Sequence, residues 1–164
     1  MQFTNENTRN TSKVSVVSKI LNIPEKCPIL LAEDNPDDIL IIKRAWKKGL
    51  ITNKLYIVNN GEEALEFLYK KGEYSNAPTP GLLLLDLKMP RVDGFEVLKT
   101  VKQDAKLKRL PIIVLTTSNR EQDIQRAYDL GCNSYIMKPV SYEKFIEAIN
   151  SIHIYWMTMC EIPL

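Results

Sequence analysis

Histidine and cysteine are scarce in this chain, and their scarcity excludes several kinds of chemistry. The one histidine is His153, and the three cysteines, Cys27, Cys132 and Cys160, are odd in number and show no metal-ligand spacing. A disulfide framework and a structural zinc site are therefore not expected, and the thiols read as the reduced thiols of a cytosolic protein. An excess of one charge is missing too. Its 22 Lys and Arg against 20 Asp and Glu leave a net charge of +2, which gives no bulk attraction to nucleic acid or to a membrane surface. No apolar run approaches a membrane span, and residues 1–26 lack the pattern of a secretory signal. The expectation is a cytoplasmic protein that binds neither nucleic acid nor membrane. Its 164 residues, 45% of them hydrophobic, suffice for one domain with a proper core.

What the chain does contain is an alternation of aliphatic runs and amphipathic stretches. Residues 1–27, rich in Asn, Thr and Ser, read as a flexible N-terminal arm. The alternation occupies residues 28–152, and residues 153–164 form an apolar tail predicted to be helical. Strands are predicted at 28–32, 55–58, 81–86, 111–115 and 133–137. Between them, Asn35-Pro36-Asp37-Asp38 opens a helix, with Asn35 as cap and the aspartates facing the positive end of its dipole. Asn60-Gly61 opens a second helix and Asp93-Gly94 a third. Ser118 or Asn119 is expected to cap a fourth, with Ile124, Ala127 and Tyr128 facing inward, and Ser141 a fifth that buries Phe145, Ala148, Ile149 and Ile152. Strands alternating with helices predict an α/β fold: a doubly wound, five-stranded parallel sheet in the flavodoxin-like order 2-1-3-4-5.

That order brings chemistry to one edge. Four leucines, Leu82 to Leu85, end at Asp86; the first strand ends in Glu33-Asp34, the fourth in Thr116, the fifth in Lys138-Pro139. Each alone has an ordinary explanation: a dipole partner, a strand terminus, a cap, a turn. Together they sit at the carboxyl ends of neighbouring strands, where open α/β sheets bind ligands and where Asp86 is expected to meet solvent. Three close carboxylates repel one another unless a cation intervenes, and oxygen ligands of this kind suit Mg²⁺. Lys138 adds a compact positive charge and Thr116 a hydroxyl donor. Metal, ammonium and hydroxyl around one carboxylate suit phosphoryl transfer to that carboxylate.

These residues resemble the receiver domain of two-component response regulators, the CheY-like (βα)5 family, over about residues 28–152. The separations of 30 residues from Asp86 to Thr116 and 52 from Asp86 to Lys138 fit that family. The resemblance implies Asp86 as the phosphorylated residue. It implies Glu33, Asp34, Asp86 and the Lys88 backbone carbonyl as the Mg²⁺ ligands, Thr116 and Lys138 as phosphate-binding groups, and Tyr135 as a switch aromatic. It also implies a cis peptide between Lys138 and Pro139. Finer features, among them Gly72-Glu73-Tyr74, Tyr128-Asp129-Leu130-Gly131 and Trp156, are similar to small stand-alone regulators that partner bacterial phytochrome histidine kinases. Lys88 departs from that subgroup, which commonly has Asn there.

The function expected is that of a stand-alone response regulator that takes a phosphoryl group from a sensor histidine kinase, a phytochrome among the candidates. It signals through protein contacts and catalyses only its own phosphorylation and dephosphorylation. A homodimer through the face of the fourth helix, fifth strand and fifth helix, together with the apolar tail, is expected. His153 is read as a half-exposed helix residue with no phosphotransfer role. A receiver-fold interaction module or relay intermediate remains as an alternative. An aspartate-nucleophile phosphatase needs a second Asp two positions after the nucleophile, where this chain has Lys88. A flavin mononucleotide carrier needs a phosphate loop that the acidic 33–38 segment would repel.

Overall fold

The structure, a computed structural model, describes residues 27–49 and 51–159. The expectations for residues 1–26 and 160–164 lie outside the described residues. Five parallel strands run β1 Ile29–Ala32, β2 Leu55–Val58, β3 Leu82–Leu85, β4 Ile112–Thr116 and β5 Ser134–Met137. Their order in the sheet is β2-β1-β3-β4-β5, as the alternation predicted. The helices are α1 Pro36–Lys48, α2 Gly61–Tyr69, α3 Gly94–Gln103, α4 Glu121–Asp129 and α5 Tyr142–His153. The motif Gly72–Tyr74 is a short 3₁₀ turn, and Ile154–Met159 continues α5 as a π-helical turn.

The aliphatic runs become the three inner strands, because only a strand covered on both faces can bury every side chain. Leu30, Ala32, Leu83, Leu85, Ile112 and Val114 face α2, α3 and Ala127 of α4. On the other face Ile29, Leu31, Leu82, Leu84, Ile113 and Leu115 pack against α1 and α5. The edge strands β2 and β5 are only partly buried.

Local signals explain most helix starts. Asn35 accepts from the amides of Asp37 and Asp38, Asn60 from Glu63, Asp93 from Glu96 and Ser141 from Lys144, which satisfies donors that would otherwise be orphaned. The fourth helix departs from expectation. It begins at Glu121 with Arg120 at the cap position and no side-chain cap. Ser118 is buried instead, and its hydroxyl donates to Asp123 Oδ2 at 2.5 Å. Tyr128, expected to face inward, is exposed, and only Ala127 of that helix is buried.

Cys27, assigned by composition to the arm, is buried, and its carbonyl accepts from Asn53 Nδ2 at 2.9 Å. Asn53 also meets His153 Nε2 at 3.0 Å through Oδ1, and its carbonyl accepts from the Trp46 indole at 2.9 Å. This polar cluster ties the start of β1 and the end of α1 to the end of α5.

Candidate functional site

The register of the sheet builds the site. Ala32 of β1 lies beside Leu85 of β3, so the next residues, Glu33 and Asp86, emerge together, with the Asp86 amide donating to the Ala32 carbonyl at 3.0 Å. Across β4, Thr116 pairs with Met137, and the Lys138 amide donates to the Thr116 carbonyl at 2.7 Å. Glu33, Asp34 and Asp86 each present an oxygen, and those oxygens lie within 4.8 Å of one another. Such a set of hard oxygen donors fits a divalent cation.

Lys138 closes the cluster from the β5 side. Its Nζ lies 2.5 Å from Glu33 Oε2, 2.8 Å from Asp38 Oδ2 and 3.5 Å from Asp86 Oδ1. The Thr116 hydroxyl hydrogen-bonds the Asp86 carboxylate, and the Lys88 amide donates to Asp86 Oδ2 at 3.2 Å. Asp86 is therefore not exposed, as its place at a strand end suggested, but 5% accessible. The loop after β3 curls over one carboxylate oxygen while Lys138 approaches the other. Asp34 and Lys88, by contrast, are exposed.

Burial governs the ionisation of these groups. It pushes Glu33 up to about 7 against the pull of Lys138. It raises Asp86 as well, opposed by Lys138, by the Thr116 hydroxyl and by the amides of Lys88 and Leu87. For Lys138, burial is the largest single influence and acts downward. The carboxylates of Asp86, Glu33 and Asp38 together outweigh it, so the ammonium is held above its ordinary value.

Tyr135 is half-buried, and its hydroxyl donates to the Ser118 carbonyl at 2.9 Å, beside the Thr116 strand end. The peptide between Lys138 and Pro139 is trans, contrary to expectation, since no cis peptide occurs among the described residues. The trans isomer is the intrinsically favoured one, and it still delivers the Lys138 ammonium to the carboxylates.

Two participants were not singled out from sequence. In the sequence Asp38 is a dipole partner in the first turn of a helix, and only the fold brings it to Lys138 from 100 positions away. Gly94 in the sequence marks only a helix start, yet a Cβ there would collide with the Asp86 carbonyl and the Leu87 backbone. Glycine is what lets α3 approach beneath the loop that follows Asp86.

Residues 29–150 match the family model of the response regulator receiver domain. The chain belongs to that family. It is 38% identical over 135 residues to response regulator Rcp1 of Synechocystis sp., covering 82% of this chain and 92% of Rcp1. Among solved structures, the phosphorylated cyanobacterial phytochrome response regulator RcpA matches with a TM-score of 0.81 and 39% identity, over 85% of this chain and 99% of RcpA. The Mn²⁺-bound form of Rcp1 matches with a TM-score of 0.80 and 38% identity, over 84% of this chain and 99% of that one. This receiver is a response regulator of two-component signalling, and none of its described helices is long and apolar enough to cross a membrane.

Proposed function

We propose that this receiver accepts a phosphoryl group on Asp86 from a phosphohistidine of a sensor kinase, in a reaction that requires Mg²⁺. The observation that carries this reading is the convergence of Glu33, Asp34 and Asp86 within 4.8 Å, with Lys138 3.5 Å from Asp86 Oδ1. Glu33, Asp34, Asp86 and the Lys88 carbonyl would hold the cation. When bound, it neutralises charge on the phosphoryl oxygens.

The chain's own groups do the rest. An Asp86 oxygen forms the new O–P bond while the P–N bond to the kinase histidine breaks; the electron pair returns to the imidazole nitrogen, and the ring takes a proton from solvent. Lys138 and the Thr116 hydroxyl neutralise developing charge on the transferred group. Hydrolysis reverses the charge state: water adds to phosphorus, the O–P bond to Asp86 breaks, and carboxylate and inorganic phosphate result. Loss of the Thr116 hydroxyl from Asp86 to the new phosphate would release the β4–α4 loop, to which Tyr135 is tied through Ser118.

The relatives' association with phytochromes supports a phytochrome kinase as donor, in a cytoplasmic setting. The face formed by α4, β5 and α5 supports self-association. Tyr128 is 48% and Tyr155 54% exposed, beside a groove of ≈ 470 Å³ that Tyr135, Ile136, Ile152 and Trp156 also line.

Radiolabelled acetyl phosphate with and without Mg²⁺ tests the phosphorylation. The wild-type chain is expected to take up label only with the cation, and Asp86→Asn to take up none. Label retained by Asp86→Asn would refute the assignment.

A further inference from the structure

Lys138 divides its ammonium among carboxylates from three segments, and the division is uneven. Nζ donates to Glu33 at 2.5 Å and to Asp38 at 2.8 Å, but stands 3.5 Å from Asp86. Two of its three N–H groups are thus directed to the β1–α1 side. Glu33 belongs to the oxygen cluster suited to a cation; Asp38 does not.

The position of Asp38 is built into the fold. It lies in the first turn of α1, where Asn35 Oδ1 accepts from its amide at 3.3 Å and from the Asp37 amide at 2.9 Å. The Asn35 amide in turn donates to Glu33 Oε1 at 3.1 Å. Cap, glutamate and aspartate are therefore linked by hydrogen bonds, and both carboxylates are presented to the lysine. A role for Asp38 as dipole partner alone would need no such contact, and exposed Asp37 already supplies it.

We propose that Asp38 is a positioning residue for phosphorylation. It holds Lys138 set back from Asp86 and competes with the incoming phosphoryl group for the ammonium. This rests on Asp86 being the acceptor. A new dianionic group on Asp86 must draw Lys138 away from Asp38, so the aspartate sets how readily the lysine engages.

Asp38→Asn keeps the size of the side chain and removes its charge. In this variant the rate of phosphorylation by acetyl phosphate and the affinity for beryllofluoride with Mg²⁺, measured by calorimetry, are each expected to rise about threefold to tenfold. Asp37→Asn, which alters the same local field without touching Lys138, should leave both unchanged. In a Lys138→Gln background, checked for folding by circular dichroism, Asp38→Asn should have no further effect. Equal effects of the two asparagine variants, an effect that survives in the Lys138→Gln background, or no rise at all would overturn the proposal.

A crystal structure of metal-free Asp38→Asn separates this inference from the acceptor assignment. Lys138 Nζ is expected to close on Asp86 Oδ1 to about 2.8 Å, the length of a charge-assisted bond. A lysine that stays where it is refutes the positioning role. A lysine that moves, in a chain that takes up no label on Asp86, leaves the positioning intact and refutes the acceptor reading.

Discussion

At the scale of the residue, buried polar groups are tuned by the few partners the fold allows them. His153 is the clearest case away from the Asp86 cluster. Its ring sits edge-on to Trp46 with centroids 6.4 Å apart, and Nε2 meets Asn53 Oδ1 at 3.0 Å. Burial lowers its pKa from the ordinary value of 6.5. The unfolded chain therefore binds a proton more readily than the folded one in the window just below that value. Stability from this residue is fully present above the ordinary value and is lost as pH falls toward the lowered one. His153→Gln retains a donor for Asn53 but does not titrate. Urea unfolding midpoints measured from about pH 7.5 down to about pH 5 should fall less steeply for the variant than for the wild type.

At the scale of the element, α2 shows both ends of a helix governed by single side chains. Asn60 Oδ1 accepts from the Glu63 amide at 2.9 Å, and the Glu63 carboxylate reaches back to the Asn59 amide at 2.9 Å and to Asn60 Nδ2 at 2.8 Å. At the other end Lys70 adopts φ 54°, a left-handed conformation that a Cβ disfavours. The two ends predict opposite signs. Asn60→Ala should destabilise the fold by about 1 kcal/mol, and Lys70→Gly should stabilise it by about 0.5–1 kcal/mol. Chemical denaturation of both variants reads out the contrast.

The cap of α2 was legible in the Asn60-Gly61 pair because its bonds are local. The cap of α4 was not. Tyr135, 17 residues on, pins the Ser118 carbonyl, and Asp123 takes the Ser118 hydroxyl, so the residue that local chemistry nominated is spent elsewhere. Tyr128 was misplaced for a related reason. Its hydroxyl accepts from the Tyr135 amide at 3.3 Å over the flank of the edge strand β5, where nothing among the described residues covers it fully.

At the scale of the whole molecule, the proposed self-association concerns a face assembled from distant segments. Tyr155 is the point at which to break it, because it is exposed while its neighbour Trp156 packs against the core. Light scattering should report a dimer for the wild-type chain and a monomer of unchanged circular dichroism for Tyr155→Arg. A dimer that persists in the variant would remove this residue from the interface.

The pattern of aliphatic runs and caps determined by itself that strands and helices alternate. That alternation, with right-handed crossovers and a count of five strands that suits the 2-1-3-4-5 order among the common doubly wound sheets, was enough to place β1 beside β3 and so to bring Glu33 and Asp34 to Asp86. Periodicity is a local property, and the strand count then selects among the few common doubly wound orders. Side-chain partnership over long separations is different. That Lys138 prefers Asp38 and Glu33 to Asp86, that Asp86 is covered rather than open, and that Gly94 is the space beneath it were decided only by tertiary packing. The choice made by Lys138 rests on differences of 1.0 Å or less between contacts of 2.5, 2.8 and 3.5 Å to groups far apart in the chain, and no pattern of residue types carries differences of that size.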